Sequence, residues 1–257
     1  MKRTHIKRNL NYAPHLVTYI DIMGFRAMVA DKSPNYISKV VRLVKEAFEP
    51  DKELKKTYEE SYVNFSDLIV HTIPLKSRAN IKHRDGLVFG RILNIVHGQS
   101  KLIDDGIVVR GALTIGGMEK SYNVLFGPAL ISAYDLERES ARFPRIVVDP
   151  TLLLEFKTNP LLQLTSYEHD AEYVWKYLRK DAEGFTFVDY LGGLVHEIDP
   201  ADYIDFLRRH KSFVERNLLE FKSTTSVFAK YAWLKDYHNA IVRERISEPV
   251  RRTLVIG

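Results

Sequence analysis

The order of strand and helix signals predicts an α+β fold: a βαββαβ core, an extra βαβ behind it and a helical C-terminal extension. Three observations carry this. The first 150 residues alternate short β-branched runs with runs of helical period. Two of the strand runs are separated only by a polar turn at Ser66–Asp67, the mark of a hairpin. Beyond about residue 150 the pattern changes to aromatic and charged stretches that end in two long helical periods.

The elements follow in order. Residues 15–22 (HLVTYIDI) are β-branched and aromatic and stop at Gly24, which reads as a buried strand. Residues 36–48 place Ile37, Val40, Val41, Val44 and Phe48 on one helical face, with Pro50 just past the end. Residues 62–73 form the hairpin. Residues 87–102 have a helical period that Asp104–Asp105–Gly106 breaks. Residues 107–115 (IVVRGALTI) read as a strand entering Gly116–Gly117, residues 128–139 as a helix and 145–148 as a strand. This is the split ferredoxin-like order, the expected product of antiparallel hairpins and right-handed crossovers. Weak strand signals follow near Val174 and at 185–188, then helices over 201–221 and 227–246, whose aromatics read as core. With no repeat and no low-complexity linker, residues 1–150 are expected to form the core and 151–257 an extension packed on the same domain.

A chain of 257 residues with 45% hydrophobic and 28% charged residues has an ordinary globular balance. It lacks cysteine, which excludes disulfides, thiolate zinc sites and a cysteine nucleophile, and fits a reducing, cytoplasmic location. No signal peptide and no membrane span are predicted. The net charge of +5 suits a polyanionic ligand, but Lys and Arg are spread along the chain, so no nucleic-acid partner is predicted.

Asp21 ends an otherwise apolar strand, where a carboxylate is costly unless compensated. Alone it could simply accept amide hydrogen bonds from the Gly24 turn. Asp67 changes the balance, because this topology sets its hairpin turn beside the first strand. Two carboxylates from neighbouring strand ends suit hard divalent cations. Two such ions, roughly 3.5–4 Å apart, can bridge a triphosphate and activate a hydroxyl. Gly24 permits close backbone approach, so phosphate oxygens are expected at the amides of residues 23–26. Arg110 interrupts an apolar strand and is either paired with a carboxylate or aimed at a ligand. His71, His83 and His97 lack metal-ligand spacing, Ser66 has no identifiable base, and His169–Asp170 reads as a loop.

Four stretches together resemble the class III nucleotidyl cyclases, over residues 15–149. Tyr19–Ile20–Asp21–Ile22–Met23–Gly24–Phe25 is similar to the family's first metal-binding strand, Asp-Ile-x-Gly-Phe. Phe65–Ser66–Asp67 resembles the second metal hairpin, with Ser66 at the usual Gly. The strand from Arg110 to Gly116 resembles Arg-x-Gly-Ile-x-x-Gly, with Ala112 at the inner Gly. Phe126–Gly127–Pro128–Ala129–Leu130 through Leu136–Glu137 resembles the element that closes the active site. A diguanylate cyclase would instead carry a Gly-Gly-acidic-acidic-Phe hairpin, which residues 62–67 lack.

The resemblance implies two divalent cations, Mn2+ or Mg2+, held by Asp21, the Ile22 carbonyl and Asp67, with Gly24 and the Phe25 backbone over the triphosphate. It also implies a head-to-tail homodimer with composite sites, and attack of the ribose 3′-hydroxyl on the α-phosphate with release of pyrophosphate. Ile131 and Asp135 stand where purine cyclases carry a transition-state Asn and Arg, leaving Arg110, Lys120, Arg138 and Arg142 as replacements. Val63 and Val124 stand where the purine base is read, so Tyr62, Asn64, Tyr122 and Asn123 are the expected base contacts. These departures, with the Phe-Ser-Asp, Val-Arg-Gly-Ala and Phe-Gly-Pro-Ala-Leu wording, resemble the pyrimidine cyclases of bacterial Pycsar antiphage systems. There cyclic UMP or cyclic CMP activates a neighbouring effector. The expectation is therefore a uridylate cyclase, with a cytidylate cyclase or a catalytically silent nucleotide-binding module as alternatives.

Overall fold

Strand β1 (Ala13–Ile22) lies inside the sheet and carries buried apolar residues on both faces. The computed structural model describes residues 12–122 and 124–257. After β1 come helices α1 (Phe25–Asp31), α2 (Pro34–Phe48) and α3 (Lys52–Thr57), then strands β2 (Ser61–Phe65) and β3 (Leu68–Pro74). Helices α4 (Arg78–His83) and α5 (Leu87–Asp104) lead to β4 (Val109–Ser121), β5 (Val124–Phe126), α6 (Pro128–Ser140) and β6 (Ile146–Val148). The remainder is α7 (Pro150–Thr158), α8 (Tyr167–Val174), β7 (Leu178–Lys180), β8 (Thr186–Val188), α9 (Tyr190–Leu194), α10 (Pro200–Glu220), α11 (Thr225–Arg245) and α12 (Val250–Leu254).

The sheet order is β2-β3-β1-β4-β6-β8-β7, with β5 paired to β4 as a hairpin. The first four strands are antiparallel neighbours throughout, which is the ferredoxin-like arrangement. β6 runs parallel to β4 with α6 as the crossover, so the extra βαβ shares β4 with the core. β8 and β7 extend the sheet antiparallel beyond β6.

The strand period of two divides the buried side chains of β1 between two clusters. Leu16, Ile20 and Ile22 pack with Val44 and Phe48 of α2 and Ile92 and Ile95 of α5, a core that continues into Phe206 of α10 and Leu234 of α11. Val17 and Tyr19 pack on the other face with Val70, Ala112 and the α6 residues Ala129 and Ala133. That second face is covered only in part. Val63 and Phe65 of β2, on its open side, are 37% and 76% exposed.

Two expectations are corrected. The weak strand signal near Val174 lies in α8, and the strand forms four residues later as β7. Ser166 caps α8 by accepting from the His169 amide, and Glu168 and Asp170 suit its first turn, so local capping overrides the β-branched residue. β4 also begins at Val109 and runs past Gly116–Gly117 instead of ending there. A Cβ at Gly116 would lie 3.1 Å from Ala129 Cβ; the glycine makes room for α6 and does not break the strand.

The last long helix is pinned to the sheet through Arg145. This buried guanidinium pairs with Asp181, donates to the Ser140 carbonyl at 2.9 Å, and sits 5.6–5.7 Å from the rings of Phe143, Phe185, Phe187 and Trp233. Trp233 of α11 stacks on Phe143 at 5.5 Å. Among the described residues no helix is long and apolar enough to cross a membrane.

Candidate active site

The alternation of β1 puts Asp21 on the same face as Val17 and Tyr19, with Leu68 of β3 opposite on one side and Arg110 of β4 on the other. Asp67 reaches the same place through the β2–β3 turn. The Ile22 amide donates to the Asp67 carbonyl at 3.2 Å, which ties the turn to the end of β1. Ser66 turns the chain with φ +58°, in the left-handed region that glycine occupies without strain.

Burial raises the Asp21 pKa above its ordinary value, Arg110 opposes the rise, and the nearby Asp67 carboxylate adds to it. The two aspartates are therefore close enough to repel. Arg110 Nε donates to Asp21 Oδ2 at 2.8 Å. Glu137 Oε1, buried under α6, lies 2.7 Å from the same Nε but out of line for its single hydrogen. Burial likewise raises the Glu137 pKa, against the pull of Arg110. Beneath them the Tyr19 hydroxyl is pushed up to about 12 by burial, then by Glu137 and Asp21. Of the two sequence readings of Arg110, pairing with a carboxylate is what the geometry contains.

Gly24 adopts φ +80° and starts α1 at Phe25, which packs partly buried against the main core. The Met23 amide is already engaged by the Val108 carbonyl at 3.0 Å, so of the expected phosphate-facing amides it is excluded.

Tyr62 and Asn64 do not join the site. Val63 pairs with Val70, on the Asp21 face, so its neighbours in β2 point the other way. The Tyr62 hydroxyl lies 3.5 Å from the Lys45 carbonyl of α2, and the Asn64 amide 3.5 Å from the Leu68 carbonyl. Asn123 lies outside the described residues. Tyr122, at the β4–β5 tip, is almost fully exposed. Of the alternative cations, Arg138 sits over the Tyr134 ring, and Lys120 and Arg142 are exposed.

Two participants were not singled out from the sequence. Glu137 follows Ala129 and Ala133 at i+4 spacing on the buried stripe of α6, and a carboxylate on such a stripe was the available signal. Lys230 of α11 is half-buried and feels both Arg110 and Asp21; burial lowers its pKa, Arg110 lowers it further and Asp21 raises it. Nothing local in the sequence points to it.

Among the described residues no group of three or more His, Cys, Asp or Glu side chains could hold a metal ion. The donor set is two carboxylates with adjacent backbone carbonyls. The charge that Asp67 adds at Asp21 is what a hard cation between them would relieve, so the residues fit one.

No protein-family profile matches this sequence, and no curated protein does. Among solved structures, the chain is similar to a bacterial light-regulated adenylyl cyclase, at 13% identity and TM-score 0.42, over 55% of this chain and 44% of that one. It is similar to the catalytic core of a rhodopsin-guanylyl cyclase with converted specificity, in complex with ATPαS, at 12% identity and TM-score 0.42, over 69% and 96%. A third is the dimeric guanylyl cyclase domain of the RhoGC fusion protein of the aquatic fungus Blastocladiella emersonii, at 12% identity and TM-score 0.39, over 68% and 93%.

Proposed function

We propose that the chain is a nucleotidyl cyclase that converts a pyrimidine nucleoside triphosphate, UTP ahead of CTP, to its 3′,5′-cyclic monophosphate and pyrophosphate. The observation that carries this is the meeting of Asp21 and Asp67 at the end of β1 and the β2–β3 turn, where the Asp67 carboxylate adds to the electrostatic burden on Asp21. In the reaction the 3′-oxygen forms a bond to the α-phosphorus, the bond to the bridging oxygen breaks, and the hydroxyl proton passes to solvent or base. Asp21, Asp67 and the Ile22 carbonyl are the residues to hold Mn2+ or Mg2+. The bound ions would lower the hydroxyl pKa and neutralise the pyrophosphate. Arg110 orients Asp21, with Glu137 behind it, and the Gly24 turn gives the phosphates backbone access without a side chain.

Val63 and Val124 support the pyrimidine assignment, because neither can hydrogen-bond a purine edge and both are exposed. The exposed apolar side chains Val63, Phe65, Phe126, Ile131 and Tyr134 support a head-to-tail homodimer over the partly covered face. The cyclic product is proposed to act as a second messenger on an effector in bacterial antiviral defence. A second reading, a silent nucleotide-binding module, is favoured by the ion pair already engaging Asp21 and by Ile131 and Asp135 at the transition-state positions.

The test is incubation with ATP, GTP, CTP and UTP, each with Mn2+, and product identification by mass spectrometry. Cyclic UMP is expected, and Asp67→Ala is expected to abolish it with the circular dichroism spectrum unchanged. No cyclic product from any nucleotide would sink the enzyme, leaving the binding module; a purine product would sink only the pyrimidine assignment.

A further inference from the structure

We propose that Lys230, carried by the C-terminal helix α11, binds the phosphate chain of the nucleotide served by Asp21 and Asp67, so that the extension completes the site from within one protomer. The inference rests on reading that site as one for a triphosphate.

The geometry is a cavity of about 210 Å³ between α1 and the α10–α11 turn. Its wall on the α1 side includes Met23 and Gly24, the residues that follow Asp21 and Ile22. Lys230 faces them from α11. Gly24 presents no side chain to the cavity, and the two cations among the lining residues are Lys32 and Lys230. Asp31, Lys32 and Glu220 line the same cavity, yet among the described residues no carboxylate lies within salt-bridge distance of the Lys230 ammonium. A half-buried ammonium without a close partner is costly unless a ligand supplies the counter-charge. A Lys here acts as a compact point charge for non-bridging oxygens.

The helix also holds the backbone of Lys230 in place. Leu234, one turn on, is fully buried, and Trp233 is stacked on Phe143 beside the Arg145 cage. That anchor fixes the backbone from which the ammonium reaches, so binding a phosphate orders only the side chain itself. The extension thereby adds a cation to a cavity that the βαββαβ core furnishes with Lys32 alone.

The test uses the full chain, Mn2+ and inorganic tripolyphosphate, with binding followed by calorimetry. Lys230→Met is expected to weaken binding about ten-fold or more and to make the affinity less dependent on salt. Lys230→Arg should recover most of it. Lys230→Gln, closer in polarity, is measured alongside, and cooperative melting confirms that each variant is folded. Because the probe has neither ribose nor base, the result is independent of cyclisation: a chain that makes no cyclic nucleotide but loses tripolyphosphate on K230M retains the inference. Unaltered affinity in K230M and K230Q overturns it, as does a parent chain that binds no tripolyphosphate in the presence of Mn2+.

Discussion

Arg110 stands between two carboxylates, and its one Nε hydrogen points at Asp21 and not at Glu137. Glu137 is held by proximity of charge more than by a directed bond, which makes the trio sensitive to loss of the cation. Arg110→Met should cost about 1–3 kcal/mol, less than a fully buried pair because Arg110 is partly exposed, as measured by urea denaturation. Adding Glu137→Gln should recover part of that loss by removing the repulsion left behind. If the double variant is no more stable than the single one, the ion pair is not the source of the cost. The pairing was half visible in the sequence: an Arg in an apolar strand announces a partner, but strand register is needed to name Asp21 as that partner.

The β2–β3 hairpin is the element on which the candidate metal site turns, and Ser66 is its strained residue. Ser66→Gly should be neutral to about 1 kcal/mol stabilising, whereas Ser66→Val, β-branched at positive φ, should cost about 1–2 kcal/mol. Thermal melting measures both, and equal melting temperatures for Gly and Val would remove the strain argument. Most elements of the first half were legible because hydrophobic periodicity and turn residues agree there with the tertiary fold, as in α2, with its Pro-initiated stripe of Val40, Val44 and Phe48. Tyr62 and Asn64 failed as base contacts for a reason equally present in the sequence: flanking Val63 in a strand means facing away from it. Gly116–Gly117 misled because a glycine that admits a helix looks the same as one that ends a strand. Lys230 could not be read at all, since its place beside Gly24 exists only once α11 docks on a sheet built far earlier in the chain.

Across the whole molecule, buried histidines set the response to acid. His71, against Glu60 and Arg91, and His238, against His210 and the Leu254 carbonyl, are each lowered to about 4, chiefly by burial, and His210 well below its ordinary value. In the unfolded chain such histidines take up protons below about 6.5, while the folded ones stay neutral to about 4. Stability should therefore fall as pH drops through that window, by up to about 3 kcal/mol each for His71 and His238. Urea midpoints at pH 7.5, 6 and 5 should decline in that order; a flat series would mean that these rings are not held neutral. The Arg145 cage gives the molecule an optical readout of its own. Of its two tryptophans, Trp175 is 45% exposed, whereas Trp233 is boxed by Phe143, Phe187, Tyr237 and a guanidinium. In a Trp175→Phe background, emission should come from Trp233 alone, blue-shifted while α11 is docked and reddening as it departs. The same light would then report whether the helix that carries the ammonium three positions earlier is still docked.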